Sequence, residues 1–173
     1  MSIRVVEPEV SFDMEGARVE LQGYERAIDR PASEMIIVPN DLPTRWTEVP
    51  IKPSERLREE KVDYAVSRFA LMDGRKESGK LSFEAMVYRN QRAAVEVLVK
   101  MLGKMTSLQL TRVDLGTAGA MMEVVGKAGR KMKAVAFVER NVFGLIMLSC
   151  DTESGVSDAW LLSMGRLMIS RMH

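Results

Sequence analysis

Nucleophilic catalysis needs a base held beside its nucleophile. This chain has one imidazole, His173, at its last position, and one thiol, Cys150, at the end of an apolar run. A Ser-His-Asp triad, a Cys-His pair and a multi-histidine metal site therefore lack their parts. A single cysteine also excludes an intrachain disulfide and a Cys-rich zinc cage, and in apolar surroundings it reads as a small hydrophobe rather than a reactive thiol. Carboxylates could serve as acid and base, but Glu59 with Glu60 and Asp151 with Glu153 form no separated pair on facing strands, and they read as solvated loop charges. Gly119 to Lys127 imitates a phosphate loop poorly. Six residues separate Gly119 from Gly126 where that loop has four, and Ala128 stands where a hydroxyl would hold magnesium. It reads as a glycine-rich hairpin turn, and neither a cofactor nor a metal is expected.

The residues that could bind rather than react are few. Lys127, Arg130, Lys131 and Lys133 gather positive charge at the tip of that hairpin, where they could grip an acidic protein surface. No aromatic residue interleaves them for base stacking, so nucleic acid is not expected, and a solvated hairpin end is the plainer account. Met121 and Met122 are adjacent, so on a strand they face opposite ways and one of them could meet a partner. Methionine is frequent, 14 residues, mostly at positions expected to face inward; it fills cores, and it also makes adaptable binding surfaces. Trp46, in Pro-rich surroundings, could anchor an interface or close the end of the core. The candidate partner-binding set is thus Trp46, Met121, Met122, Lys127, Arg130 and Lys131.

Composition bounds what positions these side chains. At 173 residues, with 46% hydrophobic and 28% charged residues and a formal charge of +1, the chain suits one domain with a core of useful size and has no global field to draw in nucleic acid or an anionic membrane. No window reaches the roughly 18 apolar residues of a membrane span, and no apolar leader follows Met1, so a cytoplasmic protein is expected unless a signal peptide has been removed.

Residues 1–34 alternate weakly and read as an N-terminal extension or edge hairpin, with a boundary near Ser33 after Pro31. A single domain over 35–173 follows. Met35 to Val38 is a short apolar run closed by Pro39, and Ser54 to Lys61 reads as a turn or two of exposed helix. From Val62 the pattern sharpens. Val62, Tyr64 and Val66 alternate, and Phe69 and Leu71 continue after a phase slip that suggests a bulge. A loop over Asp73 to Gly79 leads to a strand at Leu81, Phe83, Ala85 and Val87. Ala94, Leu98, Met101, Leu102 and Met105 recur at helical spacing after Asn90, a helix over 91–105. Four strands follow, around Leu108 to Arg112, Ala120 to Val125, Met132 to Val138 and Val142 to Cys150. The last two are apolar on both faces and belong in the middle of a covered sheet. Ser157 to Arg171, with Trp160, Met164, Leu167 and Met168 on one side, closes the chain as a helix. The expected fold is α+β, an antiparallel sheet with helices on both faces, an α/β/α sandwich.

That order of strand pair, helix, strand meander and terminal helix resembles the PsbP-like sandwich, whose relatives include a photosystem accessory protein, Ran-binding import regulators and DcrB-like bacterial proteins, some of them effector chaperones. Leu42-Pro43-Thr44-Arg45-Trp46 is similar to a Leu-Pro-x-x-Trp lead-in, and Leu167 to Met172 resembles the terminal helix of those proteins. The resemblance implies an accessory role exercised by docking. The chain is accordingly expected to be a non-catalytic protein-binding module, a chaperone or adaptor of a bacterial secretion or envelope-related system, with another protein chain as partner and a homodimer as its form. A carrier of a small apolar ligand is the alternative, and an enzyme using carboxylates and lysines the last choice.

Overall fold

The computed structural model describes residues 27–51, 61–104, 109–125, 130–150 and 156–173. The expected helix at 54–61 falls almost wholly outside them, as do Lys127 and the carboxylate pairs at 59–60 and 151–153. The described chain is an α+β fold. Strands β1 (Trp46–Val49), β2 (Asp63–Asp73) and β3 (Lys76–Val87) are followed by helix α1 (Gln91–Lys104). Strands β4 (Gln109–Arg112), β5 (Ala118–Val125), β6 (Lys131–Glu139) and β7 (Val142–Cys150) lead to helix α2 (Asp158–Ser170). They form one antiparallel sheet in the order β1-β2-β3-β7-β6-β5-β4. The first three strands form one meander and the last four another, and β3 joins them by pairing with β7.

Side-chain alternation explains why the middle strands are apolar throughout. Val135 and Phe137 of β6 belong to one buried cluster with Phe83, Ile146, and Leu161 and Met168 of α2. Ala134, Ala136 and Val138 belong to a second, with Leu145, and Ala94, Val95 and Leu98 of α1. Adjacent residues of a pleated strand point to opposite sides, so the two clusters lie on opposite sides of β6. α1 begins where Asn90 caps it, its side-chain oxygen accepting from the Ala93 N–H, and α2 where Ser157 does the same for Trp160.

The first cluster reaches further toward the N-terminus than the expected boundary at 34. Ile28 and Ala32 are buried in it beside Met35 and Ile37. Residues 27–34 form no strand, and the alternating residues 1–26 of the expected extension or edge hairpin lie outside the described residues. Short 3-10 turns at Ala32–Glu34 and Pro39–Asp41 carry the described stretch past β2. There Asp63 accepts from the Ala32 N–H and the Ser67 hydroxyl donates to the Ile37 carbonyl. Buried Asn141, in the β6–β7 turn, holds its beginning: the side-chain oxygen accepts from the Ile28 N–H at 2.6 Å and the amide donates to the carbonyls of Ile28 and Tyr88. Asn141→Ala strands these groups away from water and is expected to cost about 2 kcal/mol in a urea denaturation series, against about 1 kcal/mol or less for an exposed site such as Arg92→Ala.

Two details of β2 and β3 differ from expectation. The phase slip after Val66 is no bulge, since β2 pairs with β3 in regular register from Asp63 to Leu71. Tyr64 and Val66 lie on one side of the strand and Phe69 and Leu71 on the other, both sides being partly buried; the register shifts only between Leu71 and Met72. The loop over 73–79 is also shorter, because Gly74, at φ +64°, lets the chain reverse within two residues.

Candidate functional site

Three described groups that could do acid-base or nucleophilic chemistry, His173, Cys150 and Asp41, are engaged structurally. His173 Nε2 lies 2.7 Å from a Glu139 oxygen whose partner oxygen accepts from the Thr117 hydroxyl. The carboxylate thus stands between hydroxyl and imidazole, and the ring cannot take the hydroxyl proton directly. Cys150 is buried in the first core cluster. Asp41 is held below the ordinary carboxylate range, chiefly by hydrogen bonds from Arg171, with burial opposing the shift. That fork ties Arg171 to the Pro39–Asp41 turn. Among the described residues no three His, Cys, Asp or Glu side chains are grouped as metal ligands would be.

The binding candidates do not converge. Trp46 is buried and its ring stacks on Trp160 of α2, centroids 6.4 Å apart and planes 9° from parallel, so it closes the core as one of its two readings had it. Met121 and Met122 do face opposite ways on β5, and both are interior, 9% and 1% exposed. Neither offers a partner a surface. Arg130 is half-buried and Lys131 exposed where β6 begins, while Lys133 is paired with Asp158 of α2. Five strand positions separate Trp46 on β1 from the methionines on β5.

A site that pattern reading missed lies on the side of the sheet that carries α1. The register aligns Val49, Arg68, Ser82 and Met147 in one row across β1, β2, β3 and β7. The next row is Ala70, Lys80, Ser149 and Met132, across β2, β3, β7 and β6. All of these but Ala70 line a half-open depression of about 630 Å³. It is a depression because Ser82 and Ser149 are short while their neighbours in the rows are long. Its two ends are apolar and exposed, Val49 at 38% beside Pro50, and Met132 at 37%. Between them stand Arg68 and Lys80, the latter 3.7 Å from Glu77. Glu84, next on that side of β3, accepts from the Tyr64 hydroxyl. Neither Ser82 nor Ser149 uses its side-chain hydroxyl on another described residue, and both are half-buried.

The sheet edges offer less. β1 is four residues long, carries exposed Glu48 and ends at Pro50, which has no N–H; β4 is equally short and carries exposed Arg112. Short, charged and proline-terminated edges discourage strand addition. No described helix is long and apolar enough to cross a membrane.

No family model and no curated protein matches the chain. Among solved structures it is similar to the extracellular domain of PknH from Mycobacterium tuberculosis, at 8% identity and a TM-score of 0.45 over 65% of each chain. It is also similar to a protein from Bacteroides thetaiotaomicron, at 12% identity and a TM-score of 0.42 over 71% of this chain and 41% of that one. The chain thus spans less than two thirds of either structure.

Proposed function

We propose that the chain is a non-catalytic docking module, a layered α/β/α sandwich of the PsbP-like kind, that holds a segment of another protein in the trough across β1, β2, β3, β7 and β6. The observation that carries this reading is the pairing of exposed apolar ends, Val49 and Met132, with a floor whose serine hydroxyls have no described protein partner. Contact surfaces combine apolar burial with polar groups that fix orientation, and the trough offers both. The half-open shape favours a chain segment over an enclosed small apolar ligand, which needs a pocket that buries most of its surface. With both edges blunted, the trough rather than strand pairing is the docking element, and a homodimer is not needed for it.

A photo-crosslinking residue placed at position 49 or 132 in the native host tests this. Protein adducts are expected at both positions and not at position 92, on the exposed side of α1. Adducts distributed equally among the three, or a stoichiometric lipid extracted from the purified protein with no protein adduct, would replace docking by another role.

A further inference from the structure

We propose that the trough selects an extended peptide segment in which an acidic residue lies between two apolar ones, all three on the same side of the peptide. The inference rests on the docking reading and adds the chemistry of what is docked. Its basis is the order of side chains along the trough: apolar at the β1 end, cationic and hydroxylic in the middle, apolar at the β6 end.

Strands of a sheet are about 4.8 Å apart, so the four steps from β1 to β6 span about 19 Å, the reach of about six extended residues. In such a segment side chains at i, i+2, i+4 and i+6 point the same way. An apolar side chain at i meets Val49 and Pro50. A carboxylate at i+2 reaches Lys80, and an apolar side chain at i+6 meets Met132 and Met147. Ser82 and Ser149 lie beneath the middle, where their hydroxyls can donate to a peptide carbonyl or to the carboxylate. Glu77 already neighbours Lys80, but at 3.7 Å and with both side chains largely in solvent that contact is loose, and a carboxylate held between Lys80 and the serines displaces it at little cost.

The same order argues against an acyl chain. A fatty acid needs a continuous apolar wall, and here the two apolar ends are separated by serines and cations. A basic segment would bring its charge against Lys80 and Arg68. An acidic residue flanked by apolar ones is the pattern that matches each part of the trough.

The test uses the full chain with methyl-labelled methionine and a seven-residue acetylated, amidated peptide, Leu-Thr-Glu-Thr-Ser-Thr-Leu, beside forms with Gln or Lys in place of Glu, and decanoate as a separate ligand. The Glu peptide is expected to shift the methyl signals of Met132 and Met147 and to bind about fivefold more tightly than the Gln form, the size of one exposed charge pair. Lys80→Glu is expected to reverse the order of the Glu and Lys peptides. Ser82→Phe, which fills the floor, is expected to abolish the shifts, and Ser149→Leu serves if that variant does not fold. Equal binding of the three peptides overturns the acidic preference and leaves docking standing. Decanoate shifting the two methyls where no peptide does overturns both. Silence from all four ligands overturns the segment chemistry, and the crosslinking result at positions 49 and 132 then decides separately whether the trough docks a protein.

Discussion

Phe137→Ala is expected to lower the unfolding free energy by about 3–5 kcal/mol, the usual range for emptying a fully buried aromatic site. Phe137 has no exposed surface, lies on the interior strand β6 and pairs in register with Gly144 of the central strand β7. Its ring lies over that glycine. A Cβ at 144 would stand 2.2 Å from Phe137 Cζ and 2.6 Å from two further ring carbons, closer than any real contact. Gly144→Ala is therefore expected to destabilise as well, by about 3 kcal/mol, through overpacking rather than a void. The two losses should not add. With the ring gone, the new methyl enters the space it vacated, and the double variant should lose at least about 1 kcal/mol less than the additive sum. Urea denaturation of the four proteins, with unchanged slopes confirming one cooperative transition, gives the coupling directly. Additive losses would mean that the ring and the glycine do not share that space.

Arg171→Ala is the second large effect. The guanidinium grips both oxygens of Asp41, at 2.6 and 2.8 Å, and donates to the Ile36 carbonyl at 2.8 Å. Both side chains are half-buried, so removal leaves the Ile36 carbonyl and one Asp41 oxygen without this donor, the other oxygen keeping the Val38 N–H, a loss of about 3 kcal/mol. The pH dependence has a fixed sign. Folding lowers the Asp41 pKa, so its stabilisation is complete above the unfolded-state value of about 3.9 and disappears as pH falls through the lower folded-state value. The gap between wild type and Arg171→Ala should then be constant from neutral pH down to about pH 4 and narrow below it. Denaturation midpoints at several acid pH values measure this, and a gap that persists unchanged to the acid limit would show that the fork's contribution is not electrostatic.

The helices and the central strands were legible because their periods are long and their neighbours local. Ala94, Leu98 and Met101 recur at helical steps, β7 is apolar at nearly every position and β6 is apolar from Ala134 to Val138, as covered strands are. β1 was not legible, since Trp46–Val49 is four residues between Pro43 and Pro50 and shows no alternation beyond one buried tryptophan. The phase of β2 misled because both its sides are partly buried, so a change of inward side at Ser67 imitates an inserted residue. The trough escaped for a different reason. Ser82 opposes Arg68 and Ser149 opposes Met132 within their own hairpins, and only the β3–β7 register brings the two pairs together, joining Ser82 to Met147 and Lys80 to Ser149 across more than sixty positions. A pairing at that distance leaves no local trace. Met121, Met122 and Trp46 drew notice by their type, and their burial makes them part of what holds the sheet together.

The junction of the two meanders sets a condition on biosynthesis. Val87 ends β3 and Val142 begins β7, 55 positions later (142 − 87), so a translating ribosome working at about 5–20 residues per second leaves the inner border of β3 without its mate for roughly 3–11 s. During that interval Leu81, Phe83 and Ala85 sit on a long, hydrophobic, hydrogen-bonding margin, the kind that recruits foreign strands. A nascent chain halted before Val142 would keep that margin for good, so the mature protein's blunt outer edges give no shelter to its own unfinished form.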